Sequence, residues 1–120
     1  MHLVTGGAFQ GKTTFAMEHF GLSESDICFC TEDKCPDLSV RSLAHYEKYV
    51  LYCIKNGISD YKSLPENIKV VIADDIFCGV VSIDPVERLW REECGRALTA
   101  IAGRSETFTR LFCGIPKRLK

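Results

Sequence analysis

No stretch of this 120-residue chain stays apolar for anything near the ~20 residues that a bilayer crossing requires. A membrane-spanning helix is therefore not expected. Charge of one sign is also missing: 15 Lys and Arg against 16 Asp and Glu leave a net charge of −1. That is too little to draw nucleic acid or an anionic lipid surface by long-range attraction. There are no repeats, no low-complexity tracts and no sign of a second domain, so 1–120 reads as one domain. A hydrophobic fraction of 46% with 26% charged residues argues against disorder. The first apolar segment starts almost at Met1, with no signal peptide ahead of it, and the expected location is the cytoplasm.

Paired C-x-x-C spacing is absent too, although the chain has seven cysteines: Cys28, Cys30, Cys35, Cys53, Cys78, Cys94 and Cys113. Cys28, Cys30 and Cys35 with His45 are metal-ligand types. Without paired spacing, however, a zinc or iron–sulfur site is disfavoured. An odd number of dispersed thiols, mostly inside apolar segments, reads as reduced side chains acting as small hydrophobes.

What the chain does have is a complete G-x-x-x-x-G-K-[ST] loop: Gly6, Gly7, Ala8, Phe9, Gln10, Gly11, Lys12 and Thr13, continuing into Thr14. The glycines let the backbone curl so that successive N–H groups converge on one anion-sized hollow. Lys12 supplies a positive charge for the outer phosphates of a nucleotide, and the Thr13 hydroxyl is the type that ligates Mg²⁺. Residues 2–5 read as a short buried strand entering the loop. Residues 14–20 read as a helix whose N-terminal dipole faces the phosphates, stopped by Gly21. The strand–loop–helix order favours a nucleoside triphosphate site over a chance glycine turn.

Further along, residues 26–30 read as a second strand, followed by a polar connection containing Pro36. Val40, Leu43, Ala44, Val50, Leu51 and Ile54 recur at helical spacing, which predicts one helix stopped by Gly57. Residues 68–73 form a near-continuous apolar run, as expected of a parallel strand covered on both faces. Asp84 as cap, Pro85 at the first helical position and Glu87 as a capping-box partner open a long helix. On its polar side Glu87 and Arg91, and Glu92 and Arg96, are spaced as i,i+4 pairs. Residues 107–113 read as a closing strand. The predicted class is α/β: a P-loop NTPase-like three-layer sandwich on a small, mostly parallel sheet of about four strands.

Asp74 and Asp75 follow the apolar run directly, in the manner of a Walker B element. Asp74 would hold Mg²⁺ across from Thr13, and Asp75 is a candidate base for an acceptor hydroxyl. The carboxyl ends of parallel strands are where open α/β sheets bind ligands, so both acids belong near the loop.

These segments resemble the adenosylcobinamide kinase/adenosylcobinamide-phosphate guanylyltransferase family. Val4 to Thr13 is similar to its V-T-G-G-A-x-S-G-K-S opening. Asp75 to Val81 resembles its E-V-G-x-G-I-V-P segment, Arg88 to Arg96 its R-x-x-R-D…G-R helix, and Leu111 to Lys120 its V-V-x-G-x-P-x-x-L/I-K ending. The resemblance covers roughly the first twenty and last fifty residues, in family order. It implies a P-loop fold, often trimeric, that phosphorylates the hydroxyl of adenosylcobinamide with ATP or GTP and then transfers GMP through a guanylylated histidine. The R-x-x-x-H-like stretch from Arg41 makes His45 the matching candidate.

The chain departs from that pattern in length, in lacking the D-C-L-T-x-W segment, and in carrying Asp75 for Glu, Phe77 for Gly and Ser82 for Pro. Two readings stay open: a small kinase, with guanylyl transfer in doubt, or a catalytically reduced nucleotide-binding or regulatory protein. An N-K-x-D-like base-reading motif is absent, so ATP and GTP are not distinguished. Exposed sheet edges on so small a domain predict a homo-oligomer, and the resemblance suggests a trimer.

Overall fold

The computed structural model describes residues 1–7, 11–76 and 83–120. Among these the elements run β1 (His2–Gly6), α1 (Lys12–Phe20), β2 (Ile27–Phe29), β3 (Ser42–Ala44), α2 (Tyr46–Lys55), β4 (Val70–Asp74), α3 (Pro85–Arg104), β5 (Thr107–Phe112) and β6 (Ile115–Arg118). The strands form one six-stranded sheet in the order β2-β3-β4-β1-β5-β6. All neighbours are parallel except β6, which turns back antiparallel on β5.

Both faces of the sheet are covered, which is why the interior positions of β1 and β4 are apolar except for Thr5. Leu3, Leu43, Val71 and Ala73 point to one side, where Val50 and Cys53 of α2 meet Cys94, Ala97 and Ile101 of α3. Val4, Val70, Ile72 and Leu111 point to the other, against Phe15, Ala16, Met17 and Phe20 of α1. The helix ends follow their sequence signals. Gly21 closes α1 in a left-handed conformation. Asp84 accepts from the Val86 N–H with Pro85 at the first position of α3, but the Glu87 carboxylate lies against Arg91 instead of completing the expected capping box.

Two further expectations need correction. The predicted helix across 40–54 is a strand and a helix: Ser42, Leu43 and Ala44 are buried between β2 and β4, and α2 starts only at Tyr46. A three-residue strand has too few positions to show its alternation, and Leu43 and Ala44 happen to fall in phase with the helix that follows. The sheet also has six strands where about four were expected. Besides β3, the chain adds β6 through a two-residue turn at Cys113 and Gly114, both at positive φ, the geometry that tight hairpins require. Pro116 sits in this edge strand, where a missing N–H is tolerated. No helix among the described residues is long and apolar enough to cross a membrane.

Candidate functional site

Register decides what meets at the carboxyl edge of the sheet. β1 lies between β4 and β5, with Gly6 opposite both Asp74 and Leu111. A Cβ on Gly6 would stand 2.8 Å from the Leu111 carbonyl oxygen, so only glycine lets β1 lie this close to β5 here. The Asp75 N–H donates to the Gly6 carbonyl at 2.7 Å and ties the acidic pair to the start of the loop.

The chain re-enters at Gly11, left-handed at φ 80°, and turns directly into α1. Lys12 is the first helical residue and is 7% exposed, unusual for a lysine. Its ammonium lies 2.7 Å from Asp74 Oδ1 and donates to the Gly7 carbonyl at 2.6 Å. Lys12 is thus folded back between the Gly7 carbonyl, just past β1, and Asp74 at the end of β4. Thr13 is half-buried on the next position and Thr14 is exposed. Ala8, Phe9 and Gln10 lie outside the described residues, as do Phe77, Cys78 and the rest of 77–82 from the resemblance to the kinase family.

Asp75 points elsewhere. Its Oδ2 accepts from Arg110 Nη2 at 2.6 Å, and the same guanidinium lies 4.8 Å from the centre of the Phe112 ring. Arg110 was not among the sequence candidates. Its signal was there: Phe108, Arg110 and Phe112 share one face of β5, and an arginine in that apolar stripe calls for a partner. Between α3 and β5 a cleft of about 520 Å³ opens onto Thr5, Asp74, Asp75 and Arg110, with Leu98 and Phe108 among its apolar walls.

On the other side of Asp74 stands His45. β3 ends at Ala44 and α2 begins at Tyr46, so His45 alone must reverse the chain, and it does so at φ 56°, ψ 46°. Histidine is among the few non-glycine types enriched in that conformation. The turn aims the ring at two carboxylates: Nδ1 lies 3.4 Å from Glu47 Oε1 and 3.8 Å from Asp74 Oδ2. His45 is therefore at the sheet's carboxyl edge, not on the polar face of a helix. Arg41 does not accompany it. It precedes β3 at the opposite edge and lies 3.7 Å from Asp26.

Glu47 also escaped notice in the sequence. Only 3% of its side chain is exposed, and its Oε2 accepts the Asp74 N–H at 3.4 Å. Burial, and then the neighbouring Asp74 charge, push its carboxyl above the usual range. The Trp90 indole of α3 donates to the Glu47 carbonyl at 2.7 Å and fixes this first turn of α2. An acid flanked by the core residues Tyr46, Tyr49 and Val50 was the available signal. Cys30, Cys53 and Cys94 are buried packing groups, and burial pushes Cys30 up to about 12, whereas Cys35 and Cys113 are exposed and Cys78 lies outside the described residues.

No protein-family model matches this chain, and no curated protein is significantly similar to it.

Proposed function

We propose that this chain binds a Mg²⁺–nucleoside triphosphate at the Gly6–Thr14 loop, in a P-loop NTPase-like three-layer fold, and transfers the terminal phosphoryl group to an alcohol. The observation that carries this reading is the Lys12 ammonium, buried between Asp74 at the end of β4 and the carbonyl of Gly7, which directly follows the neighbouring parallel strand β1. A lysine on that pivot reaches the outer phosphates by exchanging one anion for another. Thr13 and Asp74 would hold Mg²⁺, whose charge would be shared by the phosphate oxygens. Developing charge in transfer would fall to Lys12 and the α1 N-terminus.

The acceptor enters from the cleft beside α3. Its volume of about 520 Å³ suits a drug-sized molecule. If the acceptor is a cobinamide-type corrinoid, as the sequence resemblance suggests, the hydroxyl-bearing arm enters this cleft and the macrocycle stays outside. A second reading, a nucleotide-binding protein without kinase activity, is favoured by one contact: the base candidate Asp75 is held by Arg110. Assembly into a homo-oligomer belongs to the same proposal, supported by open edges at β2 and β6 and by Phe112, Ile115 and Leu119, all more than half exposed. Sedimentation as a stable monomer would remove that part.

Calorimetric titration with Mg–ATP and Mg–GTP tests the core of the proposal. Micromolar binding, weakened at least a hundredfold in Lys12→Ala, supports it, and the absence of binding to both nucleotides overturns it. Binding without corrinoid-dependent phosphoryl transfer selects the second reading.

A further inference from the structure

We propose that His45, Glu47 and Asp74 form a three-ligand site for a divalent transition-metal ion of the Zn²⁺ and Co²⁺ class, present without nucleotide. One ligand atom from each residue lies within 4.8 Å of the others. Nδ1 of His45 is 3.4 Å from Glu47 Oε1 and 3.8 Å from Asp74 Oδ2. Two ligands bound at ~2.0–2.1 Å in a tetrahedron stand about 3.3 Å apart, so the His45–Glu47 pair already has that spacing, while the two pairs that involve Asp74 would have to close in, the Glu47–Asp74 pair from within 4.8 Å.

The lone pairs are divided suitably. Lys12 takes Asp74 Oδ1, leaving Oδ2 on the His45 side. The Asp74 N–H takes Glu47 Oε2, leaving Oε1 toward His45. Lys12 balances one of the two carboxylates, that of Asp74, and no lysine or arginine among the described residues is paired with Glu47. Glu47 is buried, the polar contacts of its carboxylate among the described residues are no shorter than 3.4 Å, and His45 is the only basic group paired with it there. Its backbone is held by Trp90, so the ligand is positioned from behind, as outer partners of metal ligands commonly are.

Ligand chemistry selects the ion. One imidazole with two carboxylates suits Zn²⁺, Co²⁺, Mn²⁺ or Fe²⁺, whereas Mg²⁺ and Ca²⁺ prefer oxygen alone. Three protein ligands leave a position open for water or a phosphate oxygen, the arrangement of reactive zinc sites rather than structural ones. The site shares Asp74 with the proposed Mg²⁺ site but does not rest on nucleotide binding.

The experiment is a Co²⁺ titration of the nucleotide-free full chain, followed by visible d–d absorption and then by competition with Zn²⁺. Expected are saturable bands without the strong near-ultraviolet thiolate band, displaced by Zn²⁺ but not by equal Mg²⁺. His45→Asn keeps a side chain that tolerates the left-handed turn, and Glu47→Gln keeps the shape. Each should weaken binding at least tenfold, with circular dichroism showing that the variant is folded. Lys12→Ala should bind Co²⁺ at least as tightly while losing nucleotide, which separates this site from the phosphate loop. No bands in the wild type, a thiolate band, or equal affinity in whichever of the two ligand variants folds would overturn the proposal.

Discussion

Gly6 occupies a point in the sheet where a side chain has nowhere to go, with the Leu111 carbonyl 2.8 Å from where its Cβ would be. Gly6→Ala should force β1 and β5 apart and destabilise the protein by about 2 kcal/mol, read as a lower denaturation midpoint with an unchanged slope. Asp74→Asn makes a different loss. Lys12 would remain buried with only a neutral amide and the Gly7 carbonyl near it. Buried pairs that lose one partner cost ~3–5 kcal/mol, and the 23% exposure of Asp74 reduces this to about 2 kcal/mol. Urea denaturation at neutral pH measures it. The meeting of Lys12 with Asp74 was legible because it depends on local spacing plus one strand pairing. Glu47 and Arg110 were not, because each matters only through a neighbour brought by another strand. His45 was legible as a residue type but not in place, since its position depends on β3, which the helical spacing concealed.

Among the elements, α3 was the most legible, with its Asp84 and Pro85 start and its Glu87–Arg91 and Glu92–Arg96 pairs all as spaced in sequence. β4 was legible because a strand covered on both faces is almost wholly apolar, and β1 because its Leu3 and Val4 lead straight into the glycine motif. β3 and β6 were not: three residues carry no period, and β6 is exposed throughout, with no buried face to write into its sequence. The stretch between α2 and β4 holds to the rest through Tyr61. Its carbonyl accepts from Tyr46 Oη at 2.6 Å, and its own hydroxyl donates to Glu93 of α3. That donation is the main reason the Glu93 carboxyl lies below its usual 4.5, and burial raises the Tyr61 hydroxyl above 10.0. A lowered acid contributes stability in full above its unfolded value and loses it as pH falls through the folded one. A raised phenol keeps its contribution below its unfolded value and loses it as pH rises. Tyr61→Phe should therefore cost about 1.5 kcal/mol between roughly pH 5 and 9, with the difference from wild type shrinking below about pH 4. Paired denaturation curves across that range check it.

For the whole molecule, a ligand that binds only the folded state stabilises it by mass action. At a hundredfold excess over Kd this is about 2.7 kcal/mol, or roughly 10 °C in Tm for a chain of this length. Mg–nucleotide should produce that shift in the wild type and none in Lys12→Ala, as read by scanning calorimetry. The strand order has a further consequence, in time. β1 is the centre of the sheet, yet its partners come much later in the chain. His2 pairs with Val70 and with Thr107, the latter 105 residues away. A nascent chain therefore carries β1 unpaired until β4 and then β5 have been made, and the sheet cannot close until both distant strands have left the ribosome. Large loops must be closed before any central contact rewards them, which makes folding slow for the protein's size and exposes an apolar strand to aggregation meanwhile.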